Sequence, residues 1–151
     1  MCTGIRFTDN NGNMYFGRNL DWSVGYGQEV LITEKSFVLE SAFMGEVPAK
    51  YSLVGMGIVE EGIPLYFDCG NEAGLAIAGL NFPGYAQYED PAVVGGETHA
   101  GAPDRFLDGA ARMSDGMYEK TIYTSGFSSR TKTYYFNTYD NPMIRSVKLG
   151  E

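Results

Sequence analysis

Short alternating stretches separated by glycine-rich turns run along most of this chain, and they limit the folds that it can adopt. The first stretch, CTGIRFT, alternates around Ile5 and Phe7, and DNNGN follows it with the residues of a hairpin turn. MYFGRN gives a second strand pattern, in which Gly17 marks a bend or a close backbone approach. Further strand patterns are EVLITE, SFVLE, YSLVGMGIV, PLYFDC, LAIAGLNF, YEKTIYTS, KTYYFNTY and MIRSVKL. Together with 20 glycines, these roughly ten strands predict a mainly antiparallel β domain.

One segment departs from this rhythm. Residues 90–103, DPAVVGGETHAGAP, are small, rich in glycine and weakly patterned. The next stretch, DRFLDGAARM, predicts a short helix with Asp104 as its N-cap and an apolar stripe on one side. Gly109 lies inside that helix and weakens it.

Length, charge and cysteine content exclude several classes of function. A chain of 151 residues suits one domain with its own core. The net charge of −8 argues against a surface for nucleic acid or anionic membranes, and no apolar run approaches a membrane-spanning length. One histidine and two cysteines are too few for a clustered metal site, so we predict neither a metal nor a cofactor. Because only Cys2 and Cys69 are present and no signal peptide is evident, we expect a reducing, cytoplasmic location.

Cys2 is the first candidate for chemistry. If Met1 is removed, Cys2 carries a free α-amino group within reach of its own thiol, and such an amine titrates near pH ~8. One residue then supplies a sulfur nucleophile and a proton acceptor, which is N-terminal nucleophile catalysis. Arg18 and Asp21 come at the end of the hairpin partner of the first strand, so they can return beside Cys2. A nearby arginine favours the thiolate, and a carboxylate orients the ammonium group.

The residues alone leave simpler interpretations open. Cys2 is equally a small residue at a frayed terminus, and RNLD is equally a turn with a surface ion pair. Cys69 lies in an apolar strand pattern and is interpreted as an inert core thiol. The NFPGY stretch that begins at Asn81 is, taken alone, a Pro-Gly turn.

Several longer stretches resemble the choloylglycine hydrolase family, and its bile salt hydrolases more closely than its penicillin V acylases. These stretches are MCTGIRF, YFGRNLDW, LYFDCGNEAGLAIAGLNFPGYA and YTSGFSSRTKTYYFNTYDNPMIRS. The family consists of cysteine N-terminal nucleophile hydrolases with an αββα sandwich, which cut the amide bond between a steroid acyl group and glycine or taurine. The resemblance implies an α+β fold here: a reduced form of that sandwich, mainly antiparallel sheets, with most helices lost. It also implies a conjugated bile salt as the small-molecule substrate.

The resemblance also implies roles for individual residues. Cys2 matches the nucleophile, Arg18 an arginine beside it, and Asp21 the aspartate that contacts the cysteine amine. Asn81 matches the asparagine that helps to form the oxyanion hole. Leu20, Ile58 and Phe67 fall near the apolar wall that binds the acyl group.

The family chain is about twice as long as this one, and its middle part has no counterpart here. We expect a single domain over residues 1–151, with 1–90 as an N-terminal family part, 91–107 as a join and 108–151 as a C-terminal family part. Losing helices would expose an apolar sheet face, which makes homo-oligomerisation one expectation. Three functions stay open: a hydrolase of conjugated bile salts, a weakly active or inactive form that binds bile acids, and an amidase like penicillin V acylase.

Overall fold

A computed structural model describes residues 2–41, 45–80 and 120–150 of the chain, and the described residues form eleven strands in three antiparallel sheets. The five-stranded sheet has the order β1-β2-β9-β10-β11, and its strands span Thr3–Thr8, Met14–Trp22, Lys120–Ser128, Thr133–Thr138 and Asn141–Lys148. The four-stranded sheet has the order β3-β6-β7-β8, and its strands span Glu29–Thr33, Leu53–Glu60, Ile63–Asn71 and Ala76–Ala78. A separate hairpin pairs β4 (Val38–Ser41) with β5 (Gly45–Pro48).

The first hairpin turn forms where the sequence predicts it. The backbone N–H of Asp9 donates to the carbonyl of Asn13 at 2.9 Å, and Gly12 adopts a φ of 80°. The Asp9 carboxylate accepts hydrogen bonds from the amides of Asn11 and Asn13, each at 2.9 Å. These side-chain bonds explain why DNNGN closes the β1–β2 hairpin.

The core lies between the two larger sheets. Its buried apolar side chains come from both: Leu20, Ile122, Tyr123, Phe127 and Tyr134 from the five-stranded sheet, and Val54 and Met56 from the four-stranded one. The sheets approach so closely at Gly70 that a Cβ added there would lie 2.4 Å from the ring of Phe127. Only a residue without a side chain fits that contact.

Two strands run further than their local sequence indicates. The pattern MYFGRN ends at Asn19, but β2 continues through RNLD to Trp22. The pattern YEKTIYTS ends at Ser125, but β9 continues to Ser128 because Gly126 and Ser128 pair with β2. No helix is present in the part of the chain that the structure describes. These residues therefore include no helix that could cross a membrane. The helix predicted from Asp104 lies outside the described residues.

Candidate active site

Cys2 lies directly before β1, at the open end of the first hairpin. Thr3 pairs with Asn19, and Gly4 pairs with Arg18. Continuing this register by one residue sets Cys2 opposite Leu20, so that Cys2 and Arg18 fall on the same face of the sheet as diagonal neighbours. The Cys2 thiol is partly buried and is not in a disulfide.

Arg18 is a buried strand residue, which makes the interpretation of RNLD as a surface turn wrong. Its side chain is only 3% exposed. One guanidinium nitrogen, Nη1, donates to the carbonyl of Phe67 at 3.1 Å, and the guanidinium lies 5.7 Å from the ring centre of Tyr123. Its Nε is buried without a hydrogen-bond partner among the described residues. A guanidinium is charged at all ordinary pH values, so this site holds a permanent positive charge between the sheets.

A β-bulge at Phe67 supplies the carbonyl that Arg18 contacts. Met56 pairs with Asp68 and Gly57 pairs with Tyr66, so the β6–β7 register shifts by one residue at Phe67. The carbonyl of Phe67 also accepts the backbone N–H of Gly79 at 3.0 Å. The bulge therefore joins Arg18 of one sheet to the segment that follows β8.

That segment reaches back to the first strand. Leu80 Cδ1 lies 3.0 Å from the position that a Cβ on Gly4 would occupy. Leu80 is the last described residue before the predicted oxyanion-hole residue, Asn81, which lies outside the described residues.

Asp21 is held by a partner on β9. Its Oδ1 accepts the hydroxyl of Thr121 at 2.6 Å. The two residues face each other because Leu20 pairs with Tyr123 and Asp21 with Thr121, which leaves Ile122 as a second bulge. The bulge also explains why the consecutive residues Ile122 and Tyr123 are both buried.

Three aromatic side chains from β2, β7 and the segment after β2 pack together. The ring of Tyr26 lies 5.4 Å from that of Phe67 and 6.4 Å from that of Trp22, centre to centre. Burial raises the pKa of Tyr26 to about 12, and the charge of Cys2 adds to this effect. Trp22, Tyr26 and Phe67 together form one aromatic wall.

The other two predicted wall residues lie on different sheets. Leu20 is 7% exposed and belongs to the core between the sheets. Ile58 is partly buried on β6 and pairs with Leu65, towards the turn of the β6–β7 hairpin. The β1–β2 register thus brings Arg18 and Leu20 beside Cys2, whereas Ile58 lies on the other sheet.

A buried carboxylate that the sequence analysis missed lies in the same region. Asp68, 4% exposed, accepts hydrogen bonds from the hydroxyls of Tyr123, Ser125 (3.1 Å) and Tyr134 (2.5 Å). The Tyr134 hydroxyl in turn accepts the backbone N–H of Met56 at 3.1 Å. The donors lie on β9 and β10 and the acceptor on β7, so the network links the two large sheets. In the sequence, the only local indication of a buried carboxylate is that one acidic residue, Asp68, interrupts the apolar stretch PLYFDC.

The charges of this region act on one another. Burial raises the pKa of Asp68, whereas the three hydroxyl donors and the nearby positive charge of Arg18 oppose that rise. Burial also raises the pKa of the neighbouring Cys69 thiol to about 12, and the Asp68 charge adds to it. Cys69 is therefore a protonated, unreactive thiol at neutral pH. Among the described residues, no group of three or more His, Cys, Asp or Glu side chains is placed to hold a metal ion.

The sequence matches the family described as linear amide C–N hydrolases, choloylglycine hydrolase family, over residues 2–97 and 104–151. A bile salt hydrolase/transferase from Bifidobacterium longum subsp. longum is 52% identical over 304 aligned positions, which cover 100% of this chain and 96% of that protein. A conjugated bile acid hydrolase from Lactobacillus gasseri is 53% identical over 95 residues, 63% of this chain and 30% of that protein.

Solved structures show the same fold. The C2A mutant of the conjugated bile acid hydrolase from Clostridium perfringens superposes with a TM-score of 0.55 at 23% identity, and its R18L variant with a TM-score of 0.54 at 21% identity. Each comparison covers 99% of this chain and 52% of the solved chain, so the chain spans about half the length of these structures. Likewise, 151 residues occupy only about half of the 304 positions aligned with the Bifidobacterium protein. The family match over nearly the whole sequence and the shared fold lead to one assignment: this chain belongs to the choloylglycine hydrolase family of linear amide C–N hydrolases.

Proposed function

We propose that this chain hydrolyses the amide bond of glycine- or taurine-conjugated bile acids, with Cys2 as the nucleophile once Met1 has been removed. The observation that carries the proposal is the β1–β2 register, which returns the buried Arg18 to the strand end that bears Cys2. The names of the similar proteins, bile salt hydrolase/transferase and conjugated bile acid hydrolase, support the substrate class.

The reaction follows from a thiol and an amine on one residue. The α-amine of Cys2 takes the thiol proton, and Sγ attacks the amide carbonyl carbon while the carbonyl oxygen takes up the displaced electron pair. The ammonium group returns the proton to the leaving nitrogen as the C–N bond breaks, which releases glycine or taurine and leaves a thioester. Water, deprotonated by the same amine, then attacks the thioester, so that the bile acid leaves and the thiol regains its proton.

The surrounding residues have distinct parts in this proposal. Arg18 favours the thiolate by its positive charge, and Asp21, fixed by the Thr121 hydroxyl, orients the ammonium group. Asn81 donates to the oxyanion, a type of contact worth about 3–4 kcal/mol of transition-state stabilisation where single donors have been removed.

The proposed substrate pocket is apolar. The aromatic wall of Trp22, Tyr26 and Phe67, together with Leu20 and Ile58, suits a steroid, whose binding comes mainly from buried apolar surface. The Phe67 side chain lies in this wall, and its carbonyl accepts a hydrogen bond from Arg18. One residue at a bulge would therefore contact the steroid with its ring and hold the arginine beside Cys2 with its carbonyl.

The proposal extends to the architecture and the location. The two large sheets, joined through the Asp68 network, correspond to the inner ββ layers of a reduced αββα sandwich. Such a sandwich leaves apolar residues uncovered, and Ile5 and Ile144 on its two edge strands are 58% and 75% exposed. We therefore include self-association in the proposal. We also include a reducing, cytoplasmic location, because Cys2 must remain a free thiol.

Release of glycine or taurine from conjugated bile salts tests the proposal. The wild-type chain should release the amine and Cys2→Ala should not, whereas Cys69→Ala, which removes the other thiol, should retain the activity. Mass spectrometry of the purified protein should show that Met1 is absent. Retained Met1 in an active sample, or hydrolysis by Cys2→Ala, would overturn the mechanism.

The shortened chain favours a second candidate function: binding of bile acids without turnover. It covers only 52% of the solved relatives, so groups from the missing half are not available for catalysis. In that case, calorimetry would detect binding of conjugated bile salts by the wild-type chain while no amine is released. Release with Cys2 dependence would exclude this alternative.

A further inference from the structure

Arg18 and Asp68 are the two buried charges of the described core, and each needs the other. Arg18 is 3% exposed and Asp68 is 4% exposed. An unpaired buried charge is strongly unfavourable, and a buried pair is tolerated when additional hydrogen bonds satisfy its remaining donors and acceptors. Among the described residues, Asp68 accepts three hydrogen bonds, whereas Arg18 donates one to Phe67 and its Nε has no partner.

Arg18 and Asp68 both contact Tyr123 of β9. The guanidinium of Arg18 lies 5.7 Å from the centre of the Tyr123 ring, and the Tyr123 hydroxyl donates to the Asp68 carboxylate. Nη1 of Arg18 also donates to the carbonyl of Phe67, the residue before Asp68, at the β-bulge where the β6–β7 register shifts. This arrangement places the two buried charges on either side of one tyrosine, and the positive charge of Arg18 opposes the rise in the pKa of Asp68.

The carboxylate itself cannot shift freely. Its Oδ1 accepts the Ser125 hydroxyl at 3.1 Å and the Tyr134 hydroxyl at 2.5 Å, and its Oδ2 accepts the Tyr123 hydroxyl. All three donors are buried strand residues. Three donors directed at one group suit an ionised carboxylate, which only accepts hydrogen bonds.

We propose that Asp68 is a positioning residue for the candidate active site. Its carboxylate, fixed by hydroxyls of the opposite sheet, balances the charge of Arg18 and keeps the guanidinium buried beside Cys2. Asp68 acts through Arg18 and takes no part in bond making. This inference rests on the proposed function, since it gives Arg18 its importance through Cys2.

Removing the charge should release Arg18. In Asp68→Asn the guanidinium becomes an uncompensated buried cation, and the long side chain can reach solvent by leaving the Phe67 carbonyl. Cys2 then loses the positive charge that favours its thiolate. If Arg18 instead stayed in place, removal of the negative charge at Asp68 would favour the thiolate. The sign of the change therefore tells whether Asp68 positions Arg18.

The test is the rate at which iodoacetamide alkylates Cys2 at pH 7, measured by mass spectrometry in a Cys69→Ala background. We expect Asp68→Asn to slow this reaction about tenfold, a change that corresponds to about 1.4 kcal/mol. Ser125→Ala removes one of the three donors and should give a smaller slowing, which keeps the proposal testable if Asp68→Asn does not fold. Tyr66→Phe is the control. Tyr66 lies on β7 like Asp68, and this substitution removes its hydrogen bond of 2.7 Å to Thr33 of β3 while leaving both buried charges in place. The alkylation rate of this variant should equal that of the background protein.

A rate that is unchanged or faster in Asp68→Asn would overturn the inference, as would an equal slowing in Tyr66→Phe. For an active chain, Asp68→Asn should also lower kcat for conjugated bile salts while KM stays within about twofold. The alkylation rate needs no turnover, so the two proposals fail separately. A chain without hydrolysis contradicts the proposed function, whereas an unaltered alkylation rate contradicts only the role of Asp68.

Discussion

Tyr134→Phe removes a single oxygen atom from the network between the sheets, and two hydrogen bonds disappear with it. The Tyr134 hydroxyl donates to Asp68 at 2.5 Å and accepts the backbone N–H of Met56 at 3.1 Å. Loss of a hydrogen bond to a charged group costs about 1.5–3 kcal/mol, and an unsatisfied buried donor costs about 1–3 kcal/mol. Asp68 keeps two other donors, which places the first contribution at its low end. We therefore expect the free energy of unfolding to fall by about 3 kcal/mol.

Urea unfolding followed by the fluorescence of Trp22, the single tryptophan, measures this change. With a denaturant dependence of about 2 kcal/mol per molar urea, a loss of about 3 kcal/mol lowers the midpoint by about 1.5 M. The slope should stay the same, because the substitution removes contacts without changing the surface that unfolding exposes.

Tyr135→Phe is the matched control on the next position of β10. Tyr135 is 38% exposed and faces away from the core, so its loss should change the stability by no more than about 0.5 kcal/mol. Equal midpoints for the two variants would refute the reasoning, because they would mean that the Tyr134 hydroxyl satisfies neither Asp68 nor Met56 in solution.

Two further predictions concern the same interface. Gly70→Ala should destabilise the fold by about 1–3 kcal/mol in urea unfolding, because its new Cβ would lie 2.4 Å from the Phe127 ring. Gly126→Ala should be tolerated, because the atom nearest to its new Cβ would be 4.0 Å away. Equal destabilisation by the two substitutions would contradict the close approach of the sheets at Gly70. Raising the pH above 9 should lower the free energy of unfolding, since burial raises the pKa of Cys69 from 9.0 to about 12 and the folded chain keeps a proton that the unfolded chain releases. Cys69→Ala should weaken this loss of stability at high pH. If the loss were the same in Cys69→Ala, the raised pKa of Cys69 would not be its cause.

Local features of the fold could be predicted from the sequence because local chemistry decides them. The Asp9 carboxylate binds amides two and four residues further on, so the letters DNNGN contain the whole turn. Cys2 and Arg18 could be placed together for a similar reason, since a tight hairpin fixes which residues return beside the first strand.

Long-range features could not be predicted in this way. The partners of Asp68 on β9 and β10 are 55 and 66 residues away in the sequence, and no local pattern specifies that pairing. The same reason explains the extra length of β9: its Gly126 favours a turn, but pairing with Gly17 of β2 overrides that preference. The roles in catalysis and substrate binding all stay predictions, because the position of a side chain does not show what it does to a substrate. They are the roles of Cys2, Arg18, Asp21, Asn81, Leu20, Ile58 and Phe67.

A polar network at the centre of a sandwich needs an explanation, because well-packed apolar residues stabilise such an interface at least as well. The difference lies in directionality. Apolar side chains tolerate a small slide of one sheet over the other, whereas the hydroxyls of Tyr123 and Tyr134 reach the Asp68 carboxylate in only one relative placement. The contact between Gly70 and Phe127 restricts the same slide by shape. Because Arg18 lies on one sheet and the Phe67 carbonyl on the other, a fixed placement of the sheets is what keeps the guanidinium at the strand end that bears Cys2.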